Sequence, residues 1–346
     1  MILKKVLILL LAGMFLLSGC GSSAGLIAEA GKKLEAEEYE EAEDIYAQVV
    51  ETGRYVSEGY RGMGICQIAQ GMYADACISF EKALLYVESQ SADYTKDVEL
   101  YLAYCRQHHG EGDKAMEIYD GIIARDADPD VLYLRGKLYM DMGKTSEASE
   151  DFDRAATLSN DYDLFINIYE VYASHDKKGD GSSFLEKALQ IVSDSDKNYY
   201  NKGLVHYYLQ NYEESKTNLI SALDEDPSDG KSILLLGRVY LSMGLTADAR
   251  AMFNEHILNG SNAASAYNGL AMCDMEEKNY ESALSNIEAG LALGDAEADR
   301  GLMYNRIIVY EHLKDWNSAK AQAAAFVQKY PTDEAGMREN EFLSTR

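Results

Sequence analysis

The chain has 346 residues and a large acidic excess, with 58 Asp and Glu against 32 Lys and Arg and a formal net charge of −26. A field of this sign repels polyanions, so the composition argues against nucleic acid as a partner. Only three prolines and no Ser/Gly-rich linker occur, so no domain boundary is visible in the sequence.

The first nineteen residues have the composition of an export signal. Lys4 and Lys5 form a short basic start, and an almost unbroken apolar run follows from Val6 to Leu17. A run of this length is too short to span a bilayer, which needs roughly 20 apolar residues. Its length and basic flank are typical of a signal peptide, so we expect residues 1–19 to be removed on export.

The apolar run ends in Leu17, Ser18, Gly19 and Cys20, so that small residues precede a cysteine. This ending resembles the bacterial lipobox. The resemblance implies that Cys20 is acylated and becomes the new N-terminus. Two acyl chains then hold the protein on the lipid bilayer, where one chain would bind only marginally. Residues 20–25 are predicted to be the lipidated N-terminus and a short linker. The alternative is an ordinary secretory signal that a cysteine follows by chance.

The stretch 233–253 shows most clearly that the rest of the chain is repetitive. It places a small residue and a tyrosine on one helical face, a glycine break, and then a small and a large residue on a second helix: Gly237, Tyr240, Gly244, Ala249 and Phe253. This pattern resembles the tetratricopeptide repeat, which has a period of about 34 residues.

Nine copies of the pattern follow one another. The small residue of the second helix recurs at intervals of 33 to 39 residues, at Ala42, Ala76, Ala115, Ala148, Gly181, Ser215, Ala249, Ala283 and Ala319. In eight copies a large apolar residue follows four positions later, namely Tyr46, Phe80, Tyr119, Phe152, Leu185, Leu219, Phe253 and Ile287. The ninth copy has Ala323 there, and we expect Phe326 to fill the space one turn later.

A second small residue recurs in the first helix of seven copies, at Ala30, Gly64, Ala103, Gly136, Gly203, Gly237 and Ala271. Two antiparallel helices approach closely only where a side chain is nearly absent, and large residues fill the space beside that contact. Tyr169 and Ile307 replace the small residue in the fifth and ninth copies. We therefore expect those two hairpins to pack less closely.

Turn residues stand where helical hairpins need them. Glycines end four first helices and prolines follow two second helices, at Gly71, Gly110, Gly143, Gly244, Pro227 and Pro331. The two longest intervals place extra residues in 88–95 and 293–299, which we expect to form loops. Residues 333–342 are predicted to form a short charged helix that shields the last apolar face.

The resemblance implies an all-α fold, a right-handed superhelical solenoid of about nine helix-turn-helix repeats. The solenoid is predicted to cover residues 26–330, and a capping helix the residues 331–346. One hairpin cannot bury its apolar face alone, so neighbouring hairpins must stack into a continuous core. Such a solenoid leaves no room for a second, catalytic domain.

Motifs for catalysis or metal binding are weak. Ser79 to Lys82 match the S-x-x-K motif, but neither S-D-N nor K-T-G follows, so we predict no enzyme, no catalytic residue and no cofactor. The adjacent His108 and His109 point to different faces of a helix and form a poor chelate, so no metal ligand is predicted. The acidic stretches 126–130 and 176–181 leave calcium open as an alternative to helix caps and solvated loops.

Four cysteines remain after Cys20. Cys66, Cys105 and Cys273 occupy the same inward position in three first helices, and Cys77 is adjacent to a small core residue. The ordinary interpretation is that all four are small buried hydrophobic residues. A bridge between Cys66 and Cys77, or between Cys77 and Cys105, is the alternative in an exported protein.

In tetratricopeptide arrays the first helices line a concave groove that binds extended peptides or helices of a partner. Carried onto this chain, the resemblance places nine residues in such a groove: Arg61, Tyr104, Tyr133, Lys137, Tyr200, Tyr207, Arg238, Asn268 and Tyr304. Tyrosine offers a large contact area at low entropic cost, and arginine is frequent at binding hot spots. The alternative is that these residues pack between neighbouring repeats.

These observations together predict a membrane-anchored scaffold that binds a protein or peptide partner in its groove. Its predicted location is the extracytoplasmic face of the cell membrane, where acylated Cys20 holds it on the bilayer. An outer-membrane site remains the alternative location. The alternative function is a surface lipoprotein that captures solutes or glycans by stacking them on tyrosines.

Overall fold

A computed structural model describes residues 22–87, 90–191, 198–260, 263–331 and 333–345. In these ranges the regular structure consists of nineteen α-helices without a strand. The chain divides into two compact units, one that ends at Asn160 and one that begins at Asp161. The predicted signal peptide and Cys20 lie outside the described residues.

The first unit contains four helical hairpins. Their helices are α1 (Ser23–Glu35), α2 (Tyr39–Glu51), α3 (Val56–Ala69), α4 (Tyr73–Leu84), α5 (Ala92–His108), α6 (Gly112–Arg125), α7 (Pro129–Asp141) and α8 (Thr145–Leu158). Each helix packs antiparallel to the next one in the chain, and each hairpin packs on the hairpin that follows it in the unit. Hydrophobic clusters between them form the core of this unit.

The second unit contains five hairpins and a last helix. Its helices are α9 (Tyr162–Ser174), α10 (Lys178–Ala188), α11 (Tyr199–Tyr208), α12 (Tyr212–Glu225), α13 (Gly230–Ser242), α14 (Thr246–Leu258), α15 (Ala264–Glu276), α16 (Tyr280–Leu291), α17 (Ala296–His312), α18 (Trp316–Lys329) and α19 (Glu334–Ser344). The predicted all-α repeat fold with nine hairpins is therefore confirmed for the part of the chain that the structure describes.

The predicted contact between a small and a large residue is present within individual hairpins. A Cβ atom added to Gly64 would lie 2.6 Å from the ring of Phe80, and one added to Gly237 would lie 2.6 Å from the ring of Phe253. Both phenylalanines are fully buried. The ring of the second helix therefore occupies the space that the missing side chain of the first helix leaves.

Each of three core aromatic rings also contacts a glycine of the following helical element, a contact that the repeat pattern did not predict. A Cβ added to Gly269 of α15 would lie 2.5 Å from the Phe253 ring, and the Tyr46 ring lies just as close to Gly62. Gly336 of α19 contacts the Phe326 ring in the same way. The aromatic residue thus joins its own hairpin to the next element.

The fifth and ninth hairpins carry a large residue where the other first helices have a small one. Tyr169 and Ile307 are both buried. In the fifth hairpin the Tyr169 ring lies 3.2 Å from the position of a Cβ on Gly181, the small residue of the second helix. In the ninth hairpin Ile307, Ala323 and Phe326 belong to one buried cluster. That these two hairpins pack less closely than the others stays a prediction.

The predicted loops at 88–95 and 293–299 are wrong in part. Helix α5 already begins at Ala92 and helix α17 at Ala296, and each has 17 residues. Ser91 caps α5 by accepting a hydrogen bond from the Tyr94 amide, and Asp295 caps α17. Most of the extra residues in the two long repeats therefore lengthen a helix by about one turn.

The linker predicted at residues 20–25 is also too long. Helix α1 begins at Ser23, and the Ser22 hydroxyl caps it by accepting a hydrogen bond from the Gly25 amide at 3.1 Å. At the other end, α19 lies within the segment 331–346 that was predicted to cap the solenoid, and Leu343 belongs to the same buried cluster as Phe326. No helix in the described residues is both long enough and apolar enough to cross a membrane.

Candidate functional site

The first unit carries a patch of aromatic rings between α4 and α5. The Tyr104 ring lies 4.2 Å from the His108 ring and 6.3 Å from the Tyr73 ring, and Tyr73 stacks on His108 at 5.0 Å, all measured between ring centres. Tyr73 and Tyr104 are half-buried and His108 is exposed. We call Tyr73, Tyr104, His108 and the neighbouring Lys137 the first patch.

Lys137 gives the first patch its positive charge. Its side chain is exposed on α7 and makes no ion pair with any residue that the structure describes. Burial lowers the pKa of His108, and the Lys137 charge lowers it further, which keeps the imidazole neutral at pH 7. The patch therefore presents one free ammonium group beside three aromatic rings.

The second unit carries a larger group of tyrosines on α9, α11 and α12. The Tyr208 ring lies 4.9 Å from the Tyr169 ring and 5.9 Å from the Tyr207 ring, and Tyr207 lies 6.2 Å from Tyr212. Tyr200, Tyr207 and Tyr212 pack one side on the core and are half-buried, as is Tyr208, whereas Tyr169 is buried. We define the second patch as Tyr169, Tyr200, Tyr207, Tyr208, Tyr212 and Arg238.

Arg238 supplies the charge of the second patch. It is exposed on α13 and lacks an ion pair within the described ranges. Burial raises the pKa values of Tyr200 and Tyr208, and the Arg238 charge opposes this shift. The Tyr208 hydroxyl donates a hydrogen bond to Glu170 Oε1 at 2.8 Å and is held in place by it.

Arg61 lies elsewhere, in the wall of a cavity between α1, α3 and α5. Its Nε donates to Asp97 Oδ2 at 2.6 Å, and its guanidinium lies 5.3 Å from the centre of the Tyr101 ring. The Asp97 carboxylate neutralises the guanidinium, so Arg61 offers no free cation to a partner.

Three other predicted groove residues pack against neighbouring side chains. Tyr133 is buried and lies against the core aromatic ring of its own hairpin. Tyr304 lies edge-on to the core ring of the ninth hairpin at 5.8 Å. Asn268 accepts a hydrogen bond from the Asn305 amide of the next first helix at 2.8 Å. For these three residues the contacts favour the packing interpretation, and a role in binding stays a prediction.

Sequence reasoning missed five members of the patches, namely Tyr73, His108, Tyr169, Tyr208 and Tyr212. Tyr73 begins the second helix of its hairpin, and its ring stacks on a histidine in the last turn of the next first helix. The same arrangement recurs later in the chain, where Tyr280 stacks on His312 at 4.5 Å. The stacked pair could have been found from the sequence. Its signal is a tyrosine at the start of a second helix that a histidine follows 32 to 35 residues later.

The residues of the weak motifs have structural partners. The buried Ser79 hydroxyl donates a hydrogen bond to Gln67 Oε1 at 2.8 Å, and the Lys82 ammonium lies 5.4 Å from the centre of the Tyr60 ring. Both side chains of the S-x-x-K match thus make contacts within the fold. Asp128 caps α7 and pairs with a lysine. The structure shows no group of three or more metal-ligating side chains among the residues it describes.

The four cysteines after Cys20 are buried thiols without a disulfide. Burial raises the pKa of Cys66 to about 12, which leaves its thiol protonated and unreactive at neutral pH. Neither of the two bridges considered from the sequence is present. The cysteines therefore act as the small core residues that the repeat register predicted.

Family models agree with the hairpins that the structure shows. A model described as tetratricopeptide repeat matches residues 200–268 and 234–301, and a second model with that description matches residues 129–162. No protein with a curated description matches the chain.

Several solved structures are similar to the chain in fold. A tetratricopeptide repeat protein from Parabacteroides merdae is 16% identical, with a TM-score of 0.50 over 75% of this chain and 97% of that one. The Cut9–Hcn1 hetero-tetramer of APC/C matches at 15% identity and a TM-score of 0.43, over 93% and 76% of the two chains. Pseudomonas aeruginosa pilF matches at 20% identity and a TM-score of 0.38, over 64% and 100%.

Helical hairpins with a small residue facing a large one, stacked through shared aromatic rings, define a helical repeat protein. Residues 129–162 and 200–301 match models of the tetratricopeptide repeat, and the other described hairpins have the same all-α helical repeat fold.

Proposed function

We propose that this chain is a lipid-anchored scaffold at the extracytoplasmic face of the cell membrane. In this proposal the two aromatic patches bind a protein or peptide partner. Tetratricopeptide repeats serve in general as non-catalytic surfaces for interactions between proteins, which supports the coarser part of the proposal. The anchor and the location rest on the sequence pattern that ends at Cys20.

The observation that carries the binding proposal is the pairing of half-exposed tyrosines with unneutralised cations. Lys137 and Arg238 are both exposed and both lack an ion pair with a described residue, although acidic side chains outnumber basic ones in the chain. A desolvated aromatic surface with a free cation resembles the binding hot spots of protein interfaces. The patches therefore suit a partner segment that carries apolar and acidic side chains.

The binding proposal is tested by capture from solubilised membranes of the source cells. The intact chain is compared with the double variant Lys137→Ala and Arg238→Ala, whose changes remove exposed side chains and leave the core untouched. The control is the double variant Lys114→Ala and Arg154→Ala, whose side chains are 56% and 52% exposed on second helices. We expect the patch variant to lose a captured protein that the control variant keeps, and equal capture by both would contradict the proposal.

The anchor is tested by cell fractionation and mass spectrometry of the N-terminal peptide. Cys20→Ser should move the protein out of the membrane fraction and abolish the acyl mass on that peptide, because no other lipidated residue is proposed. Cys77→Ala, which changes a buried thiol, should leave both properties as they are. An acylated or membrane-bound Cys20→Ser protein would show that the anchor lies elsewhere.

The glycan alternative requires flat aromatic faces that are open to solvent. Two ring pairs of the patches are instead tilted, by 47° for Tyr104 on His108 and by 50° for Tyr207 on Tyr208, and the Tyr73 ring is stacked on His108. These rings therefore do not form one flat aromatic platform. We expect calorimetry with a panel of oligosaccharides to give no heat of binding, and saturable heat with any of them would favour the glycan function.

A further inference from the structure

A cavity of about 350 Å³ lies between α1, α3 and α5 in the first unit, away from the first patch. Ile27 and Ala28 of α1 and the Tyr94 ring of α5 form apolar parts of its wall. Gly31 leaves one side open, since no atom lies within 4 Å of the position that its Cβ would take. Ligand pockets span roughly 300–1,000 Å³, so this volume suits one long side chain rather than a folded segment.

Carboxylates dominate the charge around the cavity. Glu35, Glu58 and Asp93 line it, and none of them makes an ion pair within the described part of the chain. The Glu58 carboxylate accepts a hydrogen bond only from the neutral Gln90 amide, at 2.9 Å. Three negative charges thus surround an apolar space without a cation to balance them.

The two cations of the cavity do not cancel this charge. Arg61 is held by Asp97 in an ion pair whose side chains are 19% and 14% exposed, so the pair is neutral as a unit. Lys32 is the other cation that lines the cavity, and it is exposed. One exposed ammonium group therefore stands against three carboxylates.

We propose that this cavity binds the side chain of a lysine or arginine in an extended segment of the partner protein. The inference rests on the proposed function and names a chemical requirement of the partner. The aliphatic stem packs on Ile27, Ala28 and Tyr94, and the cationic head lies among Glu35, Glu58 and Asp93. The net negative charge of the chain also attracts such a segment over a longer range.

Other occupants fit the cavity less well. An apolar side chain would take water from carboxylates and give them no partner in return, which is unfavourable. An anionic side chain would meet Glu35, Glu58 and Asp93 with only Lys32 to attract it. A cation is the occupant that satisfies both the apolar walls and the charged rim.

The experiment uses saturation-transfer NMR with the full chain in detergent micelles. The probes are four blocked heptapeptides, Gly-Ser-Ala-Xaa-Ala-Ser-Gly, with Arg, Lys, Gln or Glu at the central position. We expect saturable binding of the Arg and Lys peptides, with saturation strongest on the methylene protons of the central side chain. The Gln peptide should bind about tenfold more weakly, since it lacks the charge.

Gly31 lines the cavity and a Cβ there meets no atom within 4 Å, so Gly31→Leu should fold and place its side chain in the space that the ligand needs. It should abolish binding of the Arg peptide, whereas Gly179→Leu should not, because Gly179 has equally open surroundings in the second unit. Glu58→Gln and Asp93→Asn should each weaken the binding of the Arg peptide and leave the binding of the Gln peptide unchanged. The inference would be overturned if the Arg and Gln peptides bound equally well or if the Glu peptide bound more strongly than the Arg peptide. It would also be overturned if Gly31→Leu bound the Arg peptide unchanged, or if no peptide bound at all.

These outcomes are separable from those of the proposed function. A partner that Gly31→Leu still captures fully, but that the Lys137→Ala and Arg238→Ala variant loses, would keep the scaffold proposal and remove the cavity inference. If both variants still captured the partner, the scaffold proposal would be contradicted, whatever the peptide experiments show.

Discussion

At the scale of single residues, glycine inside a helix is unfavourable by about 1 kcal/mol relative to alanine, yet this chain has glycine at several helical positions that lie against a core ring. Phe253 lies between Gly237 of its own hairpin and Gly269 of the next one. The contact with Gly237 could be predicted because both residues belong to one hairpin with a fixed spacing. The contact with Gly269 depends on how the next hairpin stacks, which no local pattern encodes.

Gly237→Ala tests this arrangement. The new methyl group would lie 2.6 Å from the ring of Phe253, which is fully buried and is confined on its other side by Gly269. We expect the free energy of unfolding to fall by about 1–3 kcal/mol, as for other overpacked cores. Gly31→Ala is the control, because its Cβ meets no atom within 4 Å and should raise stability by up to about 1 kcal/mol. Urea denaturation measures both, and a Gly237→Ala protein as stable as the control would contradict the packing argument.

The predicted binding residues show the same limit of local patterns. Tyr104 and Tyr133 were predicted to have the same role, but Tyr104 lies in an open patch and Tyr133 is buried. Arg61 was predicted to lie in the groove as a binding residue, but Asp97, 36 positions further along the chain, forms an ion pair with it. A helical face can be read from the sequence, whereas the side chain that a neighbouring hairpin brings to it cannot.

At the scale of helices and hairpins, the contact inside a hairpin tolerates a large residue on the first helix. In the fifth hairpin Tyr169 stands where other first helices have a small residue, and its ring lies 3.2 Å from the position of a Cβ on Gly181. Ion pairs add contacts between hairpins that the sequence did not indicate. The buried Asp274 accepts hydrogen bonds from Ser282 of its own hairpin and from Arg250 of the preceding one.

The last helix, α19, should depend on pH through its capping residue. Partial burial by itself raises the pKa of Asp333, but hydrogen bonds from the Gly336 amide and from Arg300 outweigh it and lower the pKa. A carboxylate with a lowered folded pKa stabilises the fold above its unfolded value of 3.8, and this contribution is lost as the pH falls through the folded pKa. We therefore expect α19 to loosen in acid.

The Leu343 methyl signals in NMR spectra report the docking of α19, since this side chain is fully buried against Phe326. Asp333→Asn keeps a capping oxygen but cannot titrate, so the loss of docking below about pH 4 should become shallower. Glu334→Gln changes an exposed neighbour and should follow the unmodified chain. Identical acid profiles for Asp333→Asn and the unmodified chain would remove Asp333 as the cause.

At the scale of the whole molecule, the sequence predicted nine hairpins and a capping helix, and the described residues contain them in two compact units. This success follows from repetition, because an error in one copy is corrected by the register of the others. The division at Asn160 and Asp161 could not be predicted, since no change of composition marks it. Each unit carries its own patch of tyrosines with one free cation.

The central claim is that these two patches contact a partner protein, and photo-crosslinking in intact cells tests it most directly. The photoreactive residue p-benzoylphenylalanine replaces Tyr104 or Tyr207 in the patches, and Ile78 or Ile220 as controls on second helices, whose side chains are 49% and 41% exposed. We predict a protein adduct of one defined mass from both patch positions and none from the controls. Absence of an adduct at Tyr104 and Tyr207, or the same adduct from Ile78 and Ile220, would contradict the claim.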